Sequence, residues 1–310
     1  MSARPRRLLR LLAILALAVA PVAPVLAAAD GSHVLVLGRI SDNPAAHYEQ
    51  LKPLLDYVVP KMAGVGIREG RILMARDLQQ MESYLRRGRV DWVTETSAGA
   101  MLLQAHAGAR PLLLTERDGV SEYRTVFFAR RDSGVRSLDD LRGRSIAFQN
   151  ASSTSAYYVP AMLLVERGLP LEILLSPRDR PAPDSVGYVF ARSELNVATW
   201  VHKRLVDVGA LSNLDWNSTQ RMPASYRRDL VAIHQTGSFP RGLEMVGAGM
   251  APAVEARLRE VLAQAADDPA AREALVGFFG TTRFLPIDAA AQRALDVLRA
   301  GTLRVGEVVE

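Results

Sequence analysis

The sequence contains no cysteine among its 310 residues, and aromatic residues make up only 6% of it. The missing thiols exclude disulfides, thiolate metal centres, cysteine nucleophiles and a lipid-modified N-terminal cysteine. Familiar catalytic and nucleotide-binding motifs are missing too: there is no G-x-x-x-x-G-K-[ST], H-E-x-x-H, G-x-S-x-G or G-x-G-x-x-G pattern. The five histidines are scattered singly, without the spacing of metal ligands. We therefore expect no cofactor, no bound metal and no enzymatic activity.

The excess of positive charge is confined to the start of the chain. Lys and Arg number 38 against 33 Asp and Glu, for a formal net charge of +5. Four of the arginines lie at positions 4, 6, 7 and 10, and without residues 1–29 the basic count falls to 34 against the same 33 acids. The rest of the chain is nearly neutral, so the composition predicts no nucleic-acid partner.

Residues 1–29 have the order of a secretory signal. A basic segment ends at Arg10, an apolar stretch runs from residue 11 to 20, and a tail with two prolines ends at Ala29. An uncleaved anchor is the alternative, but the apolar run is shorter than the ~20 residues that span a bilayer, and the prolines interrupt it. We predict export to the periplasm with cleavage close to Ala29. The pair Arg6-Arg7 leaves both Sec and twin-arginine export open.

From residue 33 onward, short apolar runs alternate with helical patterns. The runs predict strands at residues 33–38, 71–75, 90–94, 125–129, 145–148, 187–190 and 230–234. Helices are predicted at residues 48–58, 78–87, 98–107, 138–141, 157–167 and 196–205. Strands separated by helices predict an α/β fold with parallel sheets, and the length favours two domains. Residues 253–265, 269–278 and 288–300 predict three helices with no strand between them, which close one lobe.

The most informative segment follows the predicted strand that ends at Phe148. Four consecutive hydroxyl residues, Ser152, Ser153, Thr154 and Ser155, precede an apolar helix. The first turn of a helix has free backbone N–H groups and the positive end of the helix dipole, so added hydroxyls complete an anion-binding site. Simple N-capping is the alternative, since Ser and Thr are preferred caps and one suffices. Four in succession exceed that need, and the run predicts a site for a small anion.

The order of several motifs resembles the phosphonate-binding type of periplasmic substrate-binding protein. They are GRVDW (88–92), YRTVFF (123–128), DS (132–133), SLDDLRG (137–143), IAF (146–148), STS (153–155) with Pro160, and VDVG (206–209). The resemblance implies a type II periplasmic binding fold, with two parallel-type sheets flanked by helices and two hinge crossings. It implies one lobe at residues 30–122 plus 236–310, a second lobe at 123–235, and closure of both over a ligand.

The resemblance also assigns roles to individual residues. Ser153, Thr154 and Ser155 match the hydroxyl loop that grips the oxyanion in the family, and Tyr123 matches an aromatic residue at the crossing into the second lobe. The full set of candidate ligand-binding residues is Ser41, Thr94, Glu95, Thr96, Tyr123, Ser152, Ser153, Thr154, Ser155, Ser193 and Glu194.

The chain departs from the family pattern in three places. The carboxylates that cradle an amine in the family are out of register, since Leu214 and Gly242 occupy those places and Asp215 and Glu244 are close by. Glu95 stands where amine-carrying phosphonate binders have an aromatic residue, and Glu194 stands where a histidine often helps to hold the anion. Solvated loop carboxylates are the bland interpretation, but ligands of open α/β sheets bind at strand carboxyl ends, where Glu95 is predicted. Acids near an anion repel it unless they are protonated or offset by a cation, and Glu95 suits a positively charged or zwitterionic ligand group. The cationic candidates nearby are Arg39, Arg124 and Arg192.

These features predict a binding protein that delivers a small oxyanion, such as phosphonate, phosphite or phosphate, to the membrane permease of an ABC transporter. One alternative is a periplasmic sensory component that presents its ligand to a receptor kinase, and another is a binder of zwitterionic solutes. An enzyme would have to use Glu95 and Glu194 as an acid and base pair, without a metal or an activated nucleophile.

Overall fold

The computed structural model describes residues 34–309. The predicted signal segment at residues 1–29 lies outside the described residues. None of the helices in residues 34–309 combines the length and the apolarity that a membrane span requires.

Strands and helices alternate strictly along the first part of the chain. Helix starts carry their expected caps: the side chain of Asn43 accepts from Ala46 N before a helix that opens on Pro44, and Asp77 accepts from Gln80 N. The elements are β1 (Val34–Ile40), α1 (Pro44–Lys61), β2 (Glu69–Ala75), α2 (Leu78–Arg86), β3 (Trp92–Thr96), α3 (Ser97–Ala107) and β4 (Arg110–Arg117).

The remaining elements alternate less regularly and end in a long helix. The middle of the chain forms β5 (Glu122–Tyr123), β6 (Thr125–Arg130), β7 (Arg144–Phe148), α4 (Val159–Glu166), β8 (Leu171–Ile173), β9 (Val186–Phe190), α5 (Glu194–His202), β10 (Val208–Ser212), α6 (Asn213–Asn217), α7 (Ala224–Asp229) and β11 (Leu230–Gln235). The last part forms β12 (Phe239–Pro240), β13 (Gly242–Val246), α8 (Pro252–Gln264), α9 (Arg272–Gly277), β14 (Thr281–Leu285) and α10 (Ala289–Val309).

The strands form two six-stranded sheets and a small ribbon. The first sheet has the order β14-β4-β13-β3-β1-β2 and the second β11-β6-β10-β7-β9-β8. β1 is parallel to β2 and β3, and β7 is parallel to β9 and β10. β13 runs antiparallel to β3 and β4, and β6 runs antiparallel to β10 and β11. The α/β fold with two sheets that contain parallel strands is confirmed, although both sheets are mixed. In the first sheet β13 inserts in reverse after the chain returns from the second sheet, and in the second sheet β6 runs antiparallel to its neighbours.

Two chain segments connect the sheets. β5 and β12 pair as an antiparallel ribbon in which Tyr123 lies opposite Phe239 and Glu122 opposite Pro240. The chain passes from β4 of the first sheet through β5 to the second sheet, and returns from β11 through β12 to β13. The two predicted hinge crossings are confirmed, while the lobe boundaries at residues 122/123 and 235/236 stay predictions.

The C-terminal part corrects the expectation of helices alone that close one lobe. β14 lies between α9 and α10 and pairs with β4. The strand was missed because it has five residues between two long helical patterns, and its stability comes from the edge of β4. α10 buries Leu295 and Leu298 in the core of the first sheet and Val305 in the core of the second. Its Gly301 packs directly on Met162 of α4, so a side chain there would collide with the thioether.

Candidate ligand-binding site

The hydroxyl loop and the end of β3 meet where the two sheets face each other. The backbone N–H of Ala98, in the first turn of α3, donates to Thr154 Oγ1 at 2.9 Å. The hydroxyl of Thr96 donates to the carbonyl of Ser152 at 3.2 Å. Residues predicted separately on two strand ends therefore lie side by side at the carboxyl ends of β3 and β7. This is the position at which open α/β sheets bind ligands.

Most of the hydroxyl loop is bonded within itself. The hydroxyl of Ser152 donates to Asn150 Oδ1 at 2.9 Å, and Ser153 Oγ accepts from Ala156 N at 3.2 Å as a helix cap. The carbonyl of Ser155 accepts from Thr125 Oγ1 at 2.7 Å. For Ser153 the capping interpretation describes the structure. A hydroxyl offers one donor and two acceptor positions, so Thr154 keeps the capacity to donate while it accepts from Ala98.

Tyr123 lies at the crossing, against the hydroxyl loop. It sits in the two-stranded ribbon and is buried. Burial raises the pKa of its phenol, while the neighbouring hydroxyls of Thr154 and Ser155 and the charge of Arg241 act in the opposite direction. Tyr123 is therefore a neutral phenol that contacts the loop, as its predicted position implies.

Glu95 is a buried carboxylate at the carboxyl end of β3, just before α3. Its Oε1 accepts from the backbone N–H of Thr96 at 2.7 Å, whereas its Oε2 is buried and has no hydrogen-bond partner among the described residues. The carboxylate lies over Gly99, where a Cβ would approach Glu95 Cγ to 2.8 Å, so this position requires glycine. Burial raises the pKa of Glu95, and the charges of Arg39 and Arg117 oppose that rise.

Two arginines supply cationic groups beside Glu95. Arg117 is 9% exposed, and its Nε and Nη2 are buried without a hydrogen-bond partner in the described part of the chain. Arg39 donates from Nη1 to the carbonyl of Thr94 at 3.4 Å, and its Nε is likewise unpartnered. Burial and the charge of Arg39 lower the pKa of Arg117 to about 10, which still leaves the guanidinium charged at neutral pH. These are buried N–H donors without acceptors, and they suit an anion.

Phe279 holds both guanidinium groups in place. The guanidinium carbon of Arg39 lies 4.3 Å and that of Arg117 lies 4.9 Å from the centre of its ring. Phe279 has φ of +55°, a left-handed conformation that costs a residue with a side chain about 1–3 kcal/mol. Backbone strain of this kind is concentrated at binding sites. Here the strained conformation places the ring of Phe279 against the guanidinium groups of both Arg39 and Arg117.

Glu244 lies in β13 and is fully buried. Its carboxylate accepts from Trp92 Nε1 at 2.6 Å, from Thr94 Oγ1 at 2.9 Å and from Thr115 Oγ1 at 2.8 Å. Burial raises its pKa, and these three bonds and the charge of Arg117 oppose the rise. The hydroxyl of Thr94, a predicted ligand contact, is thus directed to Glu244, which supplies a negative charge close to Arg117.

Ser41 lies at the end of β1, on the same side of the first sheet. Its hydroxyl is 2.6 Å from His47 Nδ1 and accepts from the backbone N–H of Asn43 at 3.1 Å. The ring of His47 packs edge-on against Phe279, with centroids 5.7 Å apart. Burial and the charge of Arg39 lower the pKa of His47. Ser41 is therefore linked through His47 to Phe279, whose ring contacts Arg39 and Arg117.

Ser193 and Glu194 begin α5 beside the second sheet. Ser193 caps the helix by accepting from Asn196 N at 3.2 Å, and Glu194 Oε1 accepts from Gln149 Nε2 at 2.8 Å. Glu194 Oε2 lies 4.0 Å from Arg221 Nε. Burial raises the pKa of Glu194, in the same direction as the nearby carboxylate of Asp215.

Of the three predicted cationic residues, only Arg39 lies next to Glu95. Arg192 has φ of +72° and donates its backbone N–H to the carbonyl of Gln149. Arg124 donates its backbone N–H to Asn213 Oδ1.

Sequence reasoning missed Arg117 and Phe279, and it named Glu244 only as a carboxylate close to the position that cradles an amine in the family. Arg117 ends β4, and the apolar run at residues 112–114 that precedes it was the signal that could have revealed a strand with a charged residue at its end. Phe279 lies in a turn between a helix and a strand, and Glu244 lies inside a strand. No local pattern marks either residue as part of a site.

Comparison with known proteins identifies the family. The sequence model of the ABC transporter phosphonate periplasmic substrate-binding proteins matches residues 37–291. Two structures of XAC2383 from Xanthomonas citri, one bound to chloride ion and one bound to ATP, are 58% and 57% identical to this chain. Each has a TM-score of 0.85, and they cover 89% and 90% of this chain and 99% and 100% of their own. PhnD1 from Prochlorococcus marinus, in complex with methylphosphonate, shares the fold with a TM-score of 0.62 at 14% identity, covering 89% of this chain and 99% of its own.

A curated relative matches a shorter stretch. The tetrathionate sensor histidine kinase TtrS from Salmonella typhimurium is 29% identical over 145 residues, which are 45% of this chain. The match spans 24% of the kinase's length. The family match, in contrast, extends over most of the described residues. This chain belongs to the phosphonate-binding family of periplasmic substrate-binding proteins.

Proposed function

We propose that this protein is the periplasmic solute-binding component of an ABC transporter and binds a small oxyanion, such as phosphonate, phosphite or phosphate, between its two sheets. The observation that carries the proposal is the buried guanidinium of Arg117, with two N–H groups that lack an acceptor, beside the unpartnered Nε of Arg39. A buried donor without an acceptor costs about 1–3 kcal/mol, and more when it is charged. An anion that accepts from these groups removes that cost.

The energies are adequate for a specific site. Hydrogen bonds to charged groups contribute about 1.5–3 kcal/mol each, so the three free guanidinium N–H groups provide roughly 4.5–9 kcal/mol before the costs of association. The hydroxyl of Thr154 lies on the side of the second sheet, where it accepts from the first turn of α3 on the side of the first sheet. This arrangement supports closure of the two lobes around the ligand, since each sheet contributes groups that the ligand would join.

The relatives support an anionic ligand class. The structures of XAC2383 that resemble this chain carry chloride in one case and ATP in the other, both of them anions. The family is a substrate-binding class. We infer that this chain likewise binds an anion without catalysis, after export directed by the segment at residues 1–29. The binding of a zwitterionic solute remains the second ligand class, because the carboxylate of Glu95 faces the same cluster.

A thermal-shift screen of the purified protein tests the proposal. The panel comprises phosphate, phosphite, methylphosphonate, aminoethylphosphonate, sulfate, chloride and ATP, each at a concentration series. A ligand present at a hundredfold excess over its Kd stabilises the protein by about 2.7 kcal/mol, which is a large shift of the melting temperature. Stabilisation by one or more oxyanions supports the proposal, whereas a melting temperature that none of these anions changes refutes it.

A sensory role is the second candidate, and the match to a sensor histidine kinase favours it. In that case the closed form would present its surface to a receptor kinase instead of a permease. Pull-down of membrane proteins by the ligand-loaded protein distinguishes the two roles, since permease subunits support import and a receptor kinase supports sensing.

A further inference from the structure

The buried site contains an unpartnered acceptor as well as unpartnered donors. Glu95 is 3% exposed, and its Oε2 has no hydrogen-bond partner within the part of the chain that the structure describes, like Nε and Nη2 of Arg117 and Nε of Arg39. Buried polar groups in folded proteins almost always have partners, so an isolated set of this kind indicates the groups that a ligand brings. A ligand that satisfies the whole set has to offer acceptors to the arginines and a donor to Glu95.

The surroundings of Glu95 do not supply that donor. Its other oxygen already accepts from the backbone N–H of Thr96, the hydroxyl of Thr96 donates to the carbonyl of Ser152, and Gly99 beneath its side chain has no side-chain donor. The charged groups that face it are Arg39 from β1 and Arg117 from β4, and the Nε atoms of both and Nη2 of Arg117 have no hydrogen-bond partner within residues 34–309. The nearby carboxylate of Glu244 is an acceptor and is occupied by three donors.

An anion on the two arginines brings its own lone pairs towards the carboxylate. Two ionised oxygens in a buried site repel each other, and a single proton between them turns the repulsion into a short, charge-assisted hydrogen bond. We propose, on the basis of the proposed function, that the site binds its anion together with one proton, which is held between Glu95 Oε2 and an oxygen of the ligand. Burial raises the pKa of Glu95, so that the proton is available closer to neutral pH than for an exposed glutamate.

This arrangement selects a class of ligand. Hydrogen phosphate keeps one O–H at neutral pH and brings the required proton with it. Sulfate is fully ionised, so it binds only when Glu95 itself is protonated. The site therefore prefers oxyanions that retain a proton, and the preference increases as the pH rises.

Titration calorimetry with inorganic phosphate and sulfate between pH 5.5 and 8 tests the inference. We expect the affinity for sulfate to fall about tenfold per pH unit above the pKa of Glu95, because one proton is taken up with the anion. The affinity for phosphate should not fall in this way between pH 7.5 and 8, where hydrogen phosphate is the main form and brings the proton itself. Repeating the titration in two buffers of different ionisation enthalpy measures the proton uptake directly, as one proton per sulfate above that pKa and none for phosphate at pH 8.

Two variants sharpen the test. In Glu95→Gln the amide donates an N–H without titrating, so sulfate binding should become independent of pH and approach that of phosphate at pH 8. Glu273→Gln, at an exposed position on α9, should behave as the unmodified protein does.

The outcomes separate the two proposals. If the protein binds neither anion nor any other of the panel, both the proposed function and this inference are wrong. If Arg117→Met loses anion binding but sulfate binds to the unmodified protein with no dependence on pH, only the proton is wrong. An unchanged pH slope in Glu95→Gln likewise overturns the role of Glu95, because the proton then resides elsewhere.

Discussion

The two sides of the candidate site are built differently. On the first sheet, Arg39, Glu95 and Arg117 carry buried polar atoms that lack hydrogen-bond partners among the described residues. On the second sheet, the hydroxyls of Ser152 and Ser153 are bonded within their own loop. The charged groups of the first side are held in place but lack hydrogen-bond partners, so this side gains the most when a ligand binds. The hydroxyl loop folds without one, and it is Thr154 that extends a bond to the first sheet.

This difference suggests that one side of the site provides most of the binding energy and the other fixes the closed form. Charged groups without partners gain about 1.5–3 kcal/mol for each hydrogen bond that a ligand completes, while hydroxyls that already have partners gain much less. The first side is therefore expected to determine affinity, and the second side to determine the geometry of the closed form. Substitutions on the two sides should have different signatures in binding and in stability.

The largest effect is expected from Arg117→Met. The substitution keeps an apolar side chain over Phe279 and removes the free N–H groups, so we expect anion affinity to fall about 100-fold or more, the equivalent of two lost charge-assisted bonds. The melting temperature of the ligand-free protein is measured in parallel and should decrease, because Arg117 also offsets the buried carboxylates of Glu95 and Glu244. Calorimetry with the anion that gives the largest thermal shift measures the effect. Arg272→Met, at an exposed position, is the control, and an affinity within threefold for Arg117→Met would contradict the assignment.

A smaller effect is expected from Thr154→Val. The change preserves shape and removes the hydroxyl that accepts from Ala98 across the two sheets, so the closed form loses one bond and affinity should fall about tenfold. The same calorimetry measures it, with Thr199→Val on α5 as the control, because that hydroxyl donates to Leu195 within its own helix. A larger loss than that of Arg117→Met would reverse the comparison between the two sides.

Ser153→Ala should act mainly on stability. Loss of the cap on Ala156 costs about 0.5–2 kcal/mol in the free energy of unfolding, while affinity should change less than threefold. Urea denaturation measures the first quantity and calorimetry the second. Ser193→Ala removes the corresponding cap of α5 and should cost a similar amount. Abolished binding in a stable Ser153→Ala protein would instead place its hydroxyl on the ligand.

The smallest effect concerns Glu95 and the pH dependence of stability without ligand. Because burial raises the pKa of Glu95 in the folded state, the folded protein holds a proton that the unfolded chain releases near the usual value of 4.5. The glutamate therefore destabilises the fold as the pH rises from that value through the raised pKa. We expect Glu95→Gln to melt at a higher temperature than the unmodified protein at pH 8, with a smaller difference at pH 5. An equal difference at both values would show that Glu95 is ionised throughout.

The sequence predicted most strands of the two sheets, and the exceptions have physical causes. Runs rich in β-branched and aromatic residues, such as those of β1 and β6, were recognised from their composition. β4 has a leucine run that also suits a helix, and β13 carries Glu244, whose burial depends on donors from Trp92, Thr94 and Thr115. A charged residue in a central strand is tolerated only because those partners arrive from other strands.

Only part of the candidate site could be predicted, because some of its residues come together only through contacts between distant strands. Glu95 was recognised as a residue at a strand end, and the hydroxyl loop as the start of a helix, and the structure brings these two segments into contact. Phe279 carried no local signal and the strand that ends at Arg117 was not recognised, although both residues complete the cationic side of the site. The roles of the predicted ligand contacts stay predictions until binding is measured.

The amino-acid sequence by itself determined the absence of thiol chemistry, the capped hydroxyl loop and the motif order that predicted the family. Capping and turn interactions act over three or four residues, so their pattern is legible along the chain. Only the tertiary structure decided that Arg39, Arg117 and Phe279 share one place, because strand order and the turn before β14 bring them together from distant parts of the chain. The polar atoms of the two arginines lack partners because folding removes them from water, and this cannot be seen in the sequence.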